Sequence, residues 1–338
     1  MKSLKTKTSE KVLELLKENL DAPLSGEYIA KELQISRTSV WKAINKLQNE
    51  GFIIYAQRNS GYLLEKITDS LSKNKIETFL TEESKKFITS DKITIFKQID
   101  STNTEAKKII SNAKKINDVD GTVLIAEKQT EGRGRLGRDF YSPAHNGIYM
   151  SVIFKPKNIT IDTTVMTAAA AVAVCRSLKK YNIQASIKWV NDIFVKGKKV
   201  CGILTEGNVN LETGLIDAVI VGIGINVFST TNFSKELQNI AGAVFEKKES
   251  NQVDRNELTA TILNELCTIF LNPKNSASVM NEYRENSLVN GKIVTVIEPN
   301  KKYEARVIDI TPSAHLIIQR QDGIKKELLS GEVSIKIK

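Results

Sequence analysis

The 338-residue sequence has few of the side chains that build metal and redox sites. It contains two histidines, His145 and His315, which argues against a zinc site or a histidine-based catalytic triad. Its three cysteines, Cys175, Cys201 and Cys267, are far apart and form no CxxC pair. Odd, scattered cysteines predict reduced thiols in the core or a pocket of a cytoplasmic protein, rather than a disulfide framework.

Long apolar runs and the common nucleotide-binding motifs are also missing. The longest apolar run, Ala168–Cys175, falls far short of the roughly 18 residues that a membrane helix needs. The opening MKSLKTKTSEKVLELL predicts a charged amphipathic helix and lacks the apolar core of a signal peptide. Neither G-x-x-x-x-G-K-[ST] nor G-x-G-x-x-G occurs at a strand-to-helix junction, so neither a P-loop nor a dinucleotide-binding fold is indicated. We expect a cytoplasmic protein without a membrane partner.

What the chain has in excess is positive charge. Its 49 lysines and arginines outnumber 39 acidic residues and give a formal net charge of +10. This excess suits a polyanionic partner or an anionic substrate. The length allows two or three domains, and 41% hydrophobic residues predict an ordinary globular protein.

Residues 1–66 have the pattern of a winged helix-turn-helix. Apolar residues at helical spacing predict helices in SEKVLELLKENL, GEYIAKELQ and SRTSVWKAINKLQNEG, with Ser25 capping the second and Trp41 in the core. Two alternating runs, FIIYAQ and GYLLEK, predict a hairpin. The third helix of this fold normally enters the major groove of DNA. The candidate DNA contacts are Ser36, Arg37, Thr38, Ser39, Lys42, Asn45, Lys46 and Arg58. The alternative is a helix-turn-helix used only for protein contact.

Residues 67–285 predict an α+β domain. SLSKNKIETFLTEESKKF predicts a linker helix, and TTVMTAAAAVAVCRSLKKY and DRNELTATILNELCTIFL predict two more helices. The strand-like runs are TVLIAEKQ, GIYMSVIFK, ASIKWVNDIFV, KVCGILTEG and DAVIVGIGINV. Because their order is not a regular βαβ alternation, we expect a mixed sheet with helices on one side. In residues 286–338, the short runs KIVTVI, YEARVIDI, HLIIQRQ and EVSIKI predict a small β-barrel.

The stretch TEGRGRLGRDF, at residues 130–140, alternates arginines with glycines. Guanidinium groups are fixed forks of donors that match phosphate or carboxylate oxygens. Glycines allow the backbone N–H groups to approach a ligand closely. These residues alone leave two interpretations open, an anion-binding cradle and a solvated loop or non-specific RNA contact.

Three further clusters carry polar or conformationally special residues. DSTN at residues 100–103 precedes a predicted helix, and its hydroxyls either cap that helix or bind a polar ligand atom. In KWVNDIFVKGKKVCGILTEG, the functional groups of Lys188, Asn191, Asp192 and Lys199 lie around a predicted turn, where a lysine is either solvated or a fixed charge in a pocket. The glycines of VGIGINV allow close approach to the backbone.

These motifs, in this order, resemble those of the biotin protein ligases. They are DSTN (100–103), GRGRLGR (132–138), SPAHNGIYMS (142–151), KWVND (188–192), KKVCGIL (198–204), GIGIN (222–226) and SGEVS (330–334). The N-terminal winged helix resembles that of the subgroup of bifunctional ligases and biotin operon repressors. The resemblance implies a class II synthetase-like catalytic domain at 67–285 and an SH3-like β-barrel at 286–338.

The resemblance also implies an activity. Biotin and ATP, with Mg²⁺, would give biotinyl-5′-adenylate and pyrophosphate. The biotinyl group would then pass to one lysine of a biotin carboxyl carrier protein. The adenylate-bound protein would form a homodimer that binds operator DNA and represses biotin genes.

By matching position, the resemblance implies roles for individual residues. Arg133 and Lys199 would be catalytic, and Asp192 would lie near Mg²⁺. The residues that would bind biotin are Ser101, Thr102, Asn103, Gln129, Arg133, Gly134, Arg135 and Lys199. Those that would bind the nucleotide are Arg135, Arg138, Phe140 and Asn226.

Three positions depart from the family pattern. Val190 stands where a proline is usual, Phe140 where many members have tryptophan, and Lys336 where some have arginine. Two alternatives stay open from the sequence. One is a lipoate- or octanoate-type protein ligase, which shares the fold and the adenylation chemistry. The other is a ligand-sensing transcription factor without ligase activity.

Overall fold

The computed structural model describes residues 8–20, 22–49, 52, 54–57, 60–64, 70–156, 162–210, 214–229, 240–245, 253–272, 276–298, 301–329 and 332–334. Contacts divide the chain into two units, a smaller one up to Ser70 that includes residues 143–146, and a larger one from Leu71 onwards. The predicted boundary after residue 66 falls outside the described residues, so the division into 1–66, 67–285 and 286–338 stays a prediction. In the described part, no helix has both the length and the apolar character to cross a membrane.

The smaller unit is a winged helix-turn-helix, as predicted. Its elements are α1 (Thr8–Glu18), α2 (Gly26–Glu32), α3 (Arg37–Asn49), β1 (Ile54–Gln57) and β2 (Gly61–Leu64). The Ser25 hydroxyl caps α2 by accepting a hydrogen bond from the Tyr28 N–H at 3.0 Å. The two strands pair antiparallel. Apolar side chains of all five elements meet in one core, namely Val12, Leu16, Ile29, Val40, Ile44, Leu47, Ile54 and Leu64.

Trp41 does not lie in that core, so the sequence-based expectation for this residue is wrong. The buried stripe of α3 is formed by Val40, Ala43, Ile44 and Leu47, which recur at helical spacing. Trp41 follows Val40 by one position and therefore projects away from the stripe. Its side chain is 56% exposed.

The larger unit is built on a seven-stranded sheet. The strands are β3 (Ile93–Phe96), β4 (Val123–Ala126), β5 (Gly147–Phe154), β6 (Ser186–Lys188), β7 (Asp192–Val195), β8 (Lys198–Val209) and β9 (Ile216–Asn226), in the order β3-β4-β5-β9-β8-β7-β6. β3 pairs with β4 in parallel and the other pairs are antiparallel, which confirms the predicted mixed sheet. ASIKWVNDIFV is not one strand as predicted but two, β6 and β7, separated by a turn at residues 189–191.

Helices cover both faces of this sheet, so the expectation of helices on one side is wrong. They are α4 (Lys73–Phe79), α5 (Glu82–Phe87), α6 (Thr102–Asn112), α7 (Ile116–Val119), α8 (Thr163–Lys179), α9 (Arg255–Phe270) and α10 (Ser276–Glu285). Side chains alternate along each strand. Val152 and Val221 belong to the core cluster with α8 and α9, whereas Ile153 and Ile220 pack with Ala106 of α6.

The predicted linker helix is instead part of the larger unit. α4 and α5 are two helices that pack on α9, and Leu71, Ile76 and Leu80 are buried in the main core. Thr81 starts α5 by accepting a hydrogen bond from the Ser84 N–H at 3.2 Å. Because these apolar side chains have a partner, a stretch that is polar on average folds as part of the domain.

A second sheet of five antiparallel strands forms the C-terminal part. Its strands are β10 (Ile293–Glu298), β11 (Lys301–Ile310), β12 (Leu316–Arg320), β13 (Lys325–Leu328) and β14 (Glu332–Ser334), in the order β13-β12-β11-β10-β14. Alternate residues such as Val296, Val307, Ile318 and Val333 fill its core. The sheet agrees with the predicted SH3-like domain. The sequence reading missed β13.

Candidate functional site

A cleft lies on the α6 face of the central sheet. It encloses about 970 Å³ of space, part of which is open to solvent. The motifs that are separate in sequence meet there, together with Val333 from β14. Of the candidate site residues, the cleft is lined by Ser101, Thr102, Asn103, Gln129, Arg133, Gly134, Arg135, Arg138, Phe140, Asp192 and Lys199.

Two cross-strand rows of the sheet form the floor of the cleft. In one row Gly222 lies between Ser151 and Leu204, and in the other Gly224 lies between Tyr149 and Gly202. A Cβ on Gly222 would stand within 2.8 Å of Cγ of Asn103, and one on Gly224 within 2.6 Å of the Phe140 ring. The sequence predicted that these glycines allow a ligand to approach the backbone closely. In the structure the side chains of Asn103 and Phe140 occupy the space over Gly222 and Gly224.

The N-terminus of α6 supplies hydroxyl groups to the cleft. Ser101 occupies the N-cap position, yet its side chain makes no capping hydrogen bond in the described part of the chain. Gln129 takes over that function, because its Oε1 accepts from the Thr102 N–H at 2.9 Å and from the Thr102 hydroxyl at 3.1 Å. Gln129 Nε2 in turn donates to Ser142 Oγ at 3.0 Å. Simple helix capping by Ser101 is thus not what this motif does.

Three residues that the sequence reading did not single out complete this network. Ser151 Oγ lies 2.7 Å from Thr102 Oγ1 and 2.6 Å from Asn103 Oδ1. Glu206 Oε2 accepts from Asn103 Nδ2 at 2.8 Å, and Glu206 Oε1 lies 2.6 Å from Lys107 Nζ. In the sequence, Ser151 and Glu206 are marked only by their positions along the predicted strands. Ser151 and Glu206 alternate with core residues on β5 and β8, so they face the cleft side of the sheet.

The Arg/Gly stretch folds as a tight hairpin at the mouth of the cleft. The Gly134 N–H donates to the Arg138 carbonyl at 2.7 Å, and the Phe140 N–H donates to the Gly132 carbonyl at 2.8 Å. Leu136 and Gly137 make the turn with φ angles of 58° and 72°. Arg135 donates to Asn191 Oδ1 at 3.2 Å, which links the hairpin to the turn before β7.

The wall and rim of the cleft are cationic. The charged lining residues are Arg133, Arg135, Arg138, Lys188, Lys199, Asp139 and Asp192, five cations against two anions. Lys199 Nζ lies 2.7 Å from Asp192 Oδ1. This ion pair neutralises one cation of the cleft and holds Asp192 beside Lys199. Because cations outnumber anions in its lining, the cleft is suited to an anionic ligand.

The turn at residues 189–191 is fixed from the C-terminal side. Trp189 Nε1 donates to the Ala314 carbonyl, in the β11–β12 connection, at 2.8 Å. The Tyr283 hydroxyl donates to the Val190 carbonyl at 3.0 Å. These two buried hydrogen bonds connect the C-terminal sheet and α10 to the turn between Lys188 and Asp192. The cleft thus depends on both sheets of the larger unit.

One candidate site residue, Asn226, lies outside the cleft lining. Its Nδ2 donates to the Gly242 carbonyl at 3.0 Å, and its nucleotide contact stays a prediction.

Burial raises the pKa of the Cys201 thiol well above its usual range, so this neighbour of Lys199 is a protonated core residue and not a nucleophile. Among the described residues, no cluster of three metal-ligating side chains occurs.

The smaller unit presents a separate candidate surface on α3. Arg37, Thr38 and Lys42 are exposed, as is Trp41, and Asn45 is half-buried. Ser36 accepts a hydrogen bond from the Ser39 N–H at 3.1 Å, as a residue that begins the helix. Arg58 lies outside the described residues.

Comparison with known proteins agrees with this architecture. The model of the biotin/lipoate A/B protein ligase family matches residues 95–226, and a helix-turn-helix domain model matches residues 8–63. The bifunctional ligase/repressor BirA of Bacillus subtilis is 37% identical over 246 residues, 72% of each chain. Its counterpart in Bacillus spizizenii is 34% identical over 313 residues, 90% of this chain and 91% of the relative.

A solved structure of similar fold is the biotin protein ligase from Aquifex aeolicus in complex with biotin and ATP. It has a TM-score of 0.59 at 27% identity, over 72% of this chain and 97% of that chain.

Proposed function

This chain belongs to the biotin protein ligases, in their bifunctional ligase/repressor branch, and we propose that its cleft joins biotin to ATP and then to a carrier protein. The observation that carries this proposal is the meeting of a buried polar floor and a cationic rim in one cleft. The floor suits the uncharged head of biotin, and the rim suits its carboxylate and the phosphates of ATP.

The polar floor favours biotin over a lipoyl or octanoyl substrate. Ser101, Thr102 and Asn103 line the cleft and are each at most 5% exposed. The ureido group of biotin offers two N–H donors and a carbonyl acceptor to such a surface. An alkyl or dithiolane chain offers neither, and would leave the polar groups of this surface without a polar partner on the ligand. Sites of this kind reject analogues that lack the matching polar group.

Activation requires stabilisation of negative charge. A carboxylate oxygen of biotin attacks the α-phosphorus of ATP, the bond to the bridging oxygen breaks, and pyrophosphate leaves. Arg133, Arg135 and Lys199 line the cleft where this charge would develop. Preorganised cations of this kind are the largest single contribution to many such reactions.

A magnesium ion fits the site only as a partner of the phosphates. It would neutralise phosphate charge, and Asp192, one of the two carboxylates that line the cleft, would help to hold it. Mg²⁺ usually takes one or two carboxylates together with waters and phosphate oxygens, so a dedicated protein cage is not required.

In the second step the ε-amine of a carrier lysine attacks the carbonyl carbon of the adenylate. The amide forms, AMP leaves with the bonding electrons, and the amine loses its proton. The hairpin at 132–140 stands at the mouth of the cleft and, by closing, would keep water from the mixed anhydride.

The smaller unit supports the repressor role. We propose that the adenylate-bound protein dimerises and places two copies of α3 on a palindromic operator, since one helix-turn-helix contacts only one half-site. Biotin with ATP, and neither alone, is expected to strengthen operator binding at fixed salt. Carrier protein should weaken it by engaging the monomer.

The ligase proposal is tested by incubating the protein with ATP, a biotin carrier domain and either biotin, lipoate or octanoate. Mass spectrometry should find one lysine carrying biotin, and no lipoyl or octanoyl product at equal concentration. Equal modification by octanoate or lipoate would favour the lipoate-type alternative. Operator binding without any modification would favour a transcription factor without ligase activity.

A further inference from the structure

The exposed face of α3 carries one large apolar side chain. Trp41 is 56% exposed, whereas Val40, Ile44 and Leu47 of the same helix are almost completely buried. Successive residues of a helix are turned by about 100°, so Trp41 projects to the side of this buried stripe and away from the core. The smaller unit therefore keeps a tryptophan ring at its surface, in the helix that a helix-turn-helix places against DNA.

Trp41 lies in the half of α3 that the hairpin does not contact through Gln48. Trp41 and Gln48 are seven residues apart, almost two turns, and so lie on the same flank of the helix. Gln48 Nε2 donates to the Ile54 carbonyl at 2.8 Å, so the start of β1 contacts this flank near the C-terminus of α3. The helix begins at Ser36, whose hydroxyl accepts from the Ser39 N–H. Trp41 thus belongs to the N-terminal half, which in a helix-turn-helix contacts base edges.

The charge of α3 favours DNA over a protein as the partner of this face. The helix has three cations, Arg37, Lys42 and Lys46, and no acidic residue among its 13 residues, whereas α1 has three glutamates and α2 has two. Arg37 and Lys42 are exposed, as Trp41 is. A face with cations and no anions suits the regular negative charge of a phosphate backbone.

The major groove of DNA offers one apolar group to such a face. Each base pair presents hydrogen-bond donors and acceptors there, and the only apolar group is the C5-methyl of thymine. Thr38 and Asn45 lie about one turn on either side of Trp41 and can match donors and acceptors. The indole ring offers mainly apolar surface, which is removed from water when it packs against a methyl group.

We propose that Trp41 recognises a thymine in each operator half-site by packing its ring against the C5-methyl group of that base. Trp41 is then a specificity-determining residue, because cations that contact phosphates strengthen binding without selecting a sequence. This inference rests on the proposed repressor function and deepens it, since it names a base that α3 selects and the side chain that selects it.

The test compares thymine with uracil in DNA. The probe is a duplex enriched from a random pool by binding to the full-length protein with biotin and ATP. Each thymine of the enriched site is then replaced by uracil, which pairs with adenine in the same way and lacks only the methyl group. At fixed salt, wild type should lose affinity about fourfold for one replacement, at one position of the half-site, and roughly 15-fold when both half-sites carry it, as expected for one and two buried methyl groups.

Variants show whether Trp41 makes this contact. Trp41→Ala should bind the thymine and uracil duplexes equally, because the ring that packs against the methyl group is gone. Trp41→Phe keeps an aromatic ring and should retain part of the preference for thymine. The matched controls are Lys42→Ala, at the next exposed position of α3, and Tyr28→Ala, which removes a 47% exposed aromatic side chain from α2. Both should show the full effect of uracil, whatever their own affinity.

Salt dependence gives a second readout. Trp41→Ala removes no charge, so the slope of log affinity against log salt concentration should equal that of wild type. Because Trp41 is exposed, its substitution should leave the fold intact, which thermal melts of each variant check.

The outcomes are distinct. Equal binding of thymine and uracil duplexes by wild type, or an undiminished preference for thymine in Trp41→Ala, would overturn the inference while the repressor function stands. Wild-type DNA affinity in Trp41→Ala would also overturn it, and would indicate that the ring contacts a protein. If wild type with biotin and ATP enriches no duplex from the pool, the repressor function and the inference fail together.

Discussion

Gly222→Ala should damage the ligand site far more than the size of one methyl group suggests. The new Cβ would stand within 2.8 Å of Cγ and 2.9 Å of Nδ2 of Asn103, and closer still to its Oδ1. The backbone at Gly222 cannot shift away, because β9 is paired on both sides. At this position its partners are Ser151 of β5 and Leu204 of β8. The Asn103 side chain must therefore move.

The cost follows from the hydrogen bonds that this movement breaks. Asn103 would lose a neutral bond to Ser151, worth about 1 kcal/mol, and a bond to the charged Glu206, worth about 1.5–3 kcal/mol. Restoring the arrangement that binds the ligand would then cost roughly 2.5–4 kcal/mol, which corresponds to a loss of about 60- to 700-fold in biotin affinity.

The assay is calorimetric titration of biotin without ATP, with thermal unfolding measured in parallel. Gly207→Ala is the matched control on the neighbouring strand, since its Cβ would meet only the flexible end of Ile216, at 3.2 Å. That control should bind biotin nearly as wild type. If a folded Gly222→Ala protein bound biotin within about threefold of wild type, Asn103 would not be the constrained side chain described above.

Four further predictions follow from other parts of the molecule. Lys199→Ala should lower single-turnover adenylate formation by on the order of 10²–10³ and change biotin binding without ATP far less, which rapid-quench kinetics can measure. Trp41→Ala and Lys42→Ala should each weaken operator binding in gel-shift titrations without altering ligation, since both are exposed on α3. Glu127→Gln removes the carboxylate charge that lies 3.0 Å from the fully buried Arg255, so urea unfolding should show a loss of roughly 3–5 kcal/mol. Burial raises the pKa of all three cysteine thiols, so fewer thiolates form and a thiol reagent at pH 8 should react readily only after denaturation.

The fold was predictable where local patterns decide it. Helical spacing and turn residues were enough for the winged helix, because each of its elements has one apolar face and little else to pack against. The exposed position of Trp41 was not predictable from residue type. It follows from the register of α3, in which Val40 and Ile44 take the buried stripe.

The polar and charged side chains of the cleft were predictable from the sequence, but the hydrogen bonds that connect them were not. Residue chemistry and motif order identified the lining side chains that come together around the Arg/Gly hairpin. Ser151 and Glu206 were missed because their role depends on which strands are neighbours in the sheet. The sequence does not record that β5, β9 and β8 lie side by side, and only this order brings both residues to Asn103. β13 was missed because KKEL is largely polar and exposed.

Activation of biotin in the cleft can be measured as exchange of labelled pyrophosphate into ATP. We expect exchange that requires biotin, is not supported by lipoate or octanoate at equal concentration, and nearly disappears in Lys199→Ala. Exchange without biotin, exchange supported equally by lipoate or octanoate, or exchange undiminished in Lys199→Ala would contradict it.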